Sequence, residues 1–157
     1  MTNFPQVINS INDLSLEQIH ILLELSKKFK HSADSWPKLP SKRFCSFFLE
    51  NSTRTKFSFQ IAAQNLAMHI VDVDPNKTSL SKGESLKETF KTFNAQGIDV
   101  LAIRSGQENI LQEFIKDPPL ALINAGDGKR EHPSQALLDL FTLIEVLGEL
   151  KGKKLTI

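Results

Sequence analysis

Short apolar runs alternating with segments of helical period constrain this chain more than any other feature of it. Arg43 to Leu49, Met68 to Val73, Asp99 to Arg104 and Pro119 to Asn124 read as strands. A first helix opens at Asp13-Leu-Ser15-Leu-Glu17 and carries Leu16, Ile19, Leu22, Leu23 and Phe29 on one stripe. Helical spacing returns over Thr53 to Leu66, over Glu84 to Gln96, briefly over Glu108 to Ile115, and over Ser134 to Leu147. Parallel strands need long crossover connections, normally helices, so this alternation predicts an α/β fold: a three-layer parallel sheet with helices on both faces. Trp36-Pro37-Lys38-Leu39-Pro40 and Asp74 to Gly83 read as loops, Ala125-Gly-Asp-Gly128 as a turn, and Lys151 to Ile157 as the start of one more strand.

Bulk properties narrow the function classes. The chain's 157 residues suffice for one well-buried domain. A formal charge of +1 gives no global pull toward nucleic acid or an anionic membrane, so anion binding must be local. No segment reaches the ~20 apolar residues of a bilayer span, and Met1 to Ser10 lacks the basic-then-apolar order of a secretory signal. The one cysteine, Cys45, falls inside an apolar run and reads as a buried free thiol, which fits a reducing, cytoplasmic setting. One cysteine and four scattered histidines match no metal-ligand spacing.

In open parallel sheets ligands bind beyond the carboxyl ends of the strands, and the candidate chemistry falls there. Ser52-Thr53-Arg54-Thr55 follows the first of these strands where a helix begins, a junction whose unpaired N–H groups and dipole favour an anion. Taken alone these residues also describe a helix cap. A cap does not call for Arg54, however, because a cation near a helix N-terminus is unfavourable unless an anion neutralises it. Thr78-Ser79-Leu-Ser81-Lys82-Gly83-Glu84 follows the next strand and reads either as a solvated loop or as an arm carrying a hydroxyl and an ammonium group. Arg104 ends a third strand, placed to reach solvent or to clamp the anion from the side opposite Arg54. Past the fourth, Gly126-Asp127-Gly128 precedes His132-Pro133-Ser134-Gln135, where proline at the first helical position makes His132 the N-cap. A histidine so placed should stay neutral and donate a hydrogen bond.

Phe48-x-Glu50-x-Ser52-Thr53-Arg54-Thr55, Ser79-x-x-Lys82-Gly83-Glu84, Arg104 and Asn124-Ala-Gly-Asp-Gly128…His132-Pro133-x-Gln135 resemble the aspartate/ornithine carbamoyltransferase family. Glu50 and the Lys-Gly-Glu loop resemble its aspartate-using branch. The resemblance implies that residues 1–150 are a carbamoyl-phosphate-binding domain and that 151–157 begin a truncated aspartate-binding domain. It implies carbamoyl transfer from carbamoyl phosphate to L-aspartate, in pyrimidine biosynthesis, with no cofactor and no metal. Carried over by position, Ser52, Thr53, Arg54, Thr55 and Arg104 would bind phosphate. Thr55, His132 and Arg54 would donate to the carbamoyl oxygen, and Gln135 would accept from the carbamoyl amide. Ser79 and Lys82 would enter a neighbouring subunit's site in a homotrimer, and Glu84 would orient Arg54. The resemblance leaves regulatory chains open as partners; nucleic acid and membrane are not expected. Two departures stand out: Ser105-Gly106 where the family usually has a histidine, and Lys56 for a common arginine. A non-catalytic binding module of the same fold, and a transferase acting on another amino acid, are the other functions compatible with these residues.

Overall fold

A computed structural model of the chain describes residues 3–32 and 36–156. Five strands form one wholly parallel sheet: β1 (Val7–Ile8), β2 (Arg43–Phe48), β3 (His69–Asp72), β4 (Val100–Ser105) and β5 (Ala121–Asp127), in the order β1-β5-β4-β2-β3. The helices are α1 (Leu16–His31), α2 (Thr53–Asn65), α3 (Leu86–Ala95) and α4 (Pro133–Leu147). The expected three-layer α/β architecture is what the chain adopts.

Each central strand buries both faces, which is why its sequence reads as a continuous apolar run. In β2, Cys45 and Phe47 point to one side, where Phe90 and Phe93 of α3 meet Leu101, Ile103, Phe114 and Leu122. Phe44 and Phe48 point to the other side, against Ala63 of α2, Ala102 and Ala125. The first core is aromatic, with Phe47 edge-on to Phe93 at 5.3 Å between centroids. Such contacts add roughly 1 kcal/mol each to the burial itself. The second is lined with alanine, so a helix and the sheet approach closely there. Cys45 is fully buried, and burial, with Asp72 nearby, pushes its thiol up to about 12.

Several boundaries differ from those the sequence suggests. The edge strand β1 is only two residues long, too short to carry a period, and exists because Val7 and Ile8 pair with Leu122 and Ile123. The strand expected to end at Asn124 continues through Ala125-Gly126-Asp127, since β4 offers it a ladder as far as Ser105↔Asp127. No α-helix forms over Glu108 to Ile115; Asn109 takes a left-handed φ of 58° and only Gln112–Phe114 makes a single 3₁₀ turn. Within the expected 74–83 loop, Pro75–Lys77 and Ser79–Lys82 are 3₁₀ turns. Beyond α4 a turn at Lys151-Gly152 leads into irregular chain without a strand partner among the described residues, so the further strand is not formed there. Its last residue, Ile157, lies outside the described residues.

The topology positions the site. After β2 the chain moves through α2 to β3 on one side, whereas after β4 it moves to β5 on the other. The crevice beyond the carboxyl ends of β2 and β4 is therefore the switch point, where helix starts diverge and leave room for a ligand.

Candidate functional site

Arg104, at the end of β4, is the residue on which the separate segments converge. Its Nη2 lies 3.4 Å from the Glu50 carboxylate just past β2, and its Nη1 donates to the Ala125 carbonyl of β5 at 3.1 Å. The register Phe48↔Arg104 and the Leu49 N–H to Arg104 O bond of 2.8 Å bring the two strand ends together. Gly126 lies against the same guanidinium and against the His132 ring, so β4, β5 and the start of α4 share one small volume. Arg104 Nε is buried without a partner among the described residues. A buried unpartnered donor costs roughly 1–3 kcal/mol, which folding tolerates mostly where function asks for it.

Ser52 stands at the N-cap of α2, yet its side chain makes no capping bond; its Oγ donates to Thr55 Oγ1 at 3.1 Å instead. α1 and α3, by contrast, are capped by Ser15 and Ser85, with an acidic residue in the first turn of each. Neither α2 nor α4 has a side-chain cap or an acidic residue in its first turn. Among the described residues, the two helix starts that meet the crevice thus keep their N–H groups unclaimed by side chains. The Ser52 side chain therefore does not cap α2. Thr53 and Arg54 are exposed, and Thr55 is half-buried.

His132 is half-buried, with Nδ1 3.2 Å from the Ser134 hydroxyl. When that hydroxyl donates, Nε2 carries the proton and becomes the donor. Burial first, and the Arg104 guanidinium second, hold the ring below its ordinary value of 6.5, against the opposite pull of Asp127 and Asp139. The ring is therefore neutral at pH 7, as expected, although desolvation and Arg104 dominate the effect. The unfolded chain takes up this proton before the folded one does. His132 therefore contributes stability above pH 6.5 that is lost as the pH falls below that value. An NMR titration of the ring is expected to show a midpoint below 6.5, and a midpoint above it would refute the assignment.

Gln135 is exposed, and its Nε2 donates to Asp139 Oδ1 at 2.9 Å. That bond turns the amide so that its carbonyl oxygen is the free end, which suits an acceptor. Asp139 was not among the expected site residues, although an i,i+4 glutamine–aspartate pair on a helix is a readable signal. The Glu50–Arg104 pair, by comparison, depends on strand register.

Ser79, Lys82 and Glu84 do not join the other residues within this chain. Ser79 and Lys82 are exposed on a 3₁₀ turn, and Leu80 between them packs against the α3 core. Among the described residues neither side chain bonds to Ser52, Thr55, Arg104 or His132, and Glu84 forms no ion pair with Arg54. Lys56 pairs with Asp72 at 2.8 Å, and Gly106 leaves room for the Glu50 carboxylate beside it. A polar hollow of about 730 Å³ flanks the α2 start, lined by Ser52, Thr53, Lys56, Asp72 and Lys77. An apolar hollow of about 710 Å³ at the opposite end of the sheet is lined by Phe44, Phe59, Leu66 and Met68. Its charged residues Lys42 and Asp99 neutralise one another at 2.7 Å, so it offers an anion nothing.

A parallel α/β sheet with two uncapped helix starts, an incompletely partnered arginine and a neutral histidine at its switch point defines an anion-binding domain. Residues 6–145 match the family described as "Aspartate/ornithine carbamoyltransferase, carbamoyl-P binding domain", and the chain belongs to that family. It is 41% identical over 155 residues to the aspartate carbamoyltransferase catalytic subunit of Chlorobium phaeovibrioides, covering 96% of this chain and 50% of the relative. The corresponding subunit of Prosthecochloris aestuarii is 46% identical over 121 residues, covering 77% of this chain and 39% of the relative. Aspartate transcarbamoylase from Trypanosoma cruzi, solved with carbamoyl phosphate, superposes with a TM-score of 0.86 at 30% identity, over 95% of this chain and 47% of that one. This chain spans about half the length of the curated relatives it matches.

Proposed function

We propose that the chain is the carbamoyl-phosphate-binding half of an aspartate carbamoyltransferase, which transfers the carbamoyl group of carbamoyl phosphate to the amine of L-aspartate. The observation that carries the reading is the meeting of Arg104 with the ends of β2 and β5 beside His132. Phosphate is held by Ser52, Thr53, Arg54, Thr55 and Arg104. Arg54 and Arg104 offer planar forks of donors matched to phosphate oxygens, and the bare start of α2 offers N–H groups.

Attack by the neutral amine nitrogen forms the new C–N bond and moves charge onto the carbamoyl oxygen; collapse then breaks the C–O bond to phosphate, which leaves as hydrogen phosphate with the proton given up by the amine. Thr55, His132 and Arg54 donate to that oxygen, and pre-placed donors stabilise it more than the starting carbonyl. Loss of one such donor typically costs ~3 kcal/mol, or ~100-fold in rate. Gln135, its amide turned by Asp139, accepts from the carbamoyl NH₂. The departing phosphate gains charge, so the cations that bind it also favour its departure.

Ser79 and Lys82 serve the site of a neighbouring copy in a homotrimer, and Glu84 helps to orient Arg54. Among the described residues Ser79 and Lys82 make no hydrogen bond to Ser52, Thr55, Arg104 or His132 of their own chain, which leaves them available to a neighbour. The partner amino acid is gripped by residues outside this half, and orienting both substrates is a large part of the catalysis. The pyrimidine pathway and a cytoplasmic setting accompany this reading, the latter supported by the buried free thiol of Cys45.

Calorimetry with phosphonoacetamide, an isostere of carbamoyl phosphate, tests it. Measurable affinity that drops ~100-fold or more in Arg54→Ala is the expected result, given that charge-assisted hydrogen bonds contribute roughly 1.5–3 kcal/mol each. A wild-type chain that binds neither phosphonoacetamide nor carbamoyl phosphate would refute it.

A further inference from the structure

Asp127 is wholly buried, at the end of β5, although the Gly-Asp-Gly sequence reads as an ordinary surface turn. Its carboxylate gathers donors from two loops. Oδ2 accepts from the Asn109 N–H at 3.0 Å and from Arg130 Nε at 2.7 Å, and Oδ1 accepts from the Glu131 N–H at 3.0 Å. Arg130 then reaches on, donating through Nη2 to the Asn9 carbonyl at 2.9 Å and to Asn9 Oδ1 at 3.0 Å. Glu131 accepts from Ser10 Oγ at 2.9 Å and from the Ile11 N–H at 3.0 Å. A buried carboxylate is costly unless paired and fully hydrogen-bonded, and a turn alone has no need of one. The network's neighbours explain its place. Gly126, directly before Asp127, lies against Arg104; His132, directly after Glu131, lies on the same glycine. Asn109 belongs to the loop that follows Arg104 on β4.

We propose that Asp127, acting through Arg130 and Glu131, is a positioning residue that sets Arg104 and His132 relative to one another by clamping the loops after β4 and β5 to the Asn9–Ile11 segment. The inference rests on the carbamoyl-phosphate reading for its functional consequence, but not for the coupling itself. Rigid support of this kind matters because ångström-scale misplacement of binding groups costs orders of magnitude.

Two variants of this chain, Asp127→Asn and Arg130→Met, test it by two measurements. The first is the His132 ring resonances in the ligand-free protein, assigned by their loss in His132→Asn; the second is calorimetric affinity for phosphonoacetamide. The Asp127→Asn change turns an amide N–H toward existing donors, so that variant need not fold. Arg130→Met keeps the buried carboxylate on its two backbone donors and removes its ion pair with Arg130 together with the link to Asn9. The expected result is a displaced His132 ring signal and an affinity lowered by ~10-fold or more in folded Arg130→Met. Partial recovery in Arg130→Lys is also expected, since an ammonium restores the pair with Asp127 but not the fork to Asn9. An unmoved ring signal with unchanged affinity in folded Arg130→Met overturns the proposal and leaves the carbamoyl-phosphate reading standing. A displaced ring signal in a protein whose wild type binds no phosphonoacetamide does the reverse.

Discussion

Arg104→Ala is expected to weaken phosphonoacetamide binding by ~100-fold or more, because two charge-assisted hydrogen bonds of roughly 1.5–3 kcal/mol each disappear together. Two consequences inside the chain add to the direct loss. The Ala125 carbonyl loses its 3.1 Å donor, and Glu50 is left as an unpaired negative charge beside the anion site. Like charge there repels the ligand further, so Arg104→Ala in a Glu50→Gln background should recover part of the affinity. Arg104→Lys keeps a positive charge but not the planar fork, and should fall between wild type and alanine. Isothermal calorimetry at fixed ionic strength separates these cases. An alanine variant that binds as well as wild type would place the anion elsewhere.

Gly126→Ala is expected to damage binding nearly as much, through a residue that touches no ligand. Gly126 has φ of +114°, and a Cβ built on it overlaps Arg104 Nη1, with Arg104 Cζ at 3.2 Å and His132 Cδ2 at 3.4 Å. The obstructing group is the tip of a long side chain, so the fold can yield by expelling the guanidinium. What it cannot do is keep Arg104 in place. The backbone itself contributes a strain of roughly 1–3 kcal/mol for a side chain at such a φ. Thermal unfolding should therefore drop by several degrees, while affinity for phosphonoacetamide falls by ~100-fold. A folded Gly126→Ala chain with wild-type affinity would mean that Arg104's present position is irrelevant to binding.

Much of the architecture was legible because both faces of the sheet are buried. Continuous apolar runs such as Phe44-Cys-Ser-Phe-Phe48 and Leu101-Ala-Ile103 are what a central parallel strand requires, and the helical stripes between them fit crossovers. The misreadings fall where long-range contacts overrule local pattern. β1 is held by pairing with β5 rather than by its own two residues, and β5 is extended by the ladder that β4 offers. Over Glu108 to Ile115 the apolar spacing suits a helix, but the Asn109 N–H is spent on Asp127 in a left-handed conformation that a helix cannot contain. Ile110, Leu111 and Phe114 still reach the core without it.

The alternation of strands and helices was already written in the order of the residues. So was the placing of Ser52 to Thr55, Arg104 and His132 after strands at the same sheet edge. Both rest on spacing and side-chain chemistry, which are local properties of a chain. Folding in three dimensions was needed to hold Arg104 between Glu50 and Ala125, to leave the start of α2 uncapped by Ser52, and to bury Asp127 under Arg130. It also left Ser79 and Lys82 outside the site of their own chain. These outcomes follow from strand order and register, which join Arg104 to Ala125 across 21 positions and Arg130 to Asn9 across 121, contacts that no local window contains.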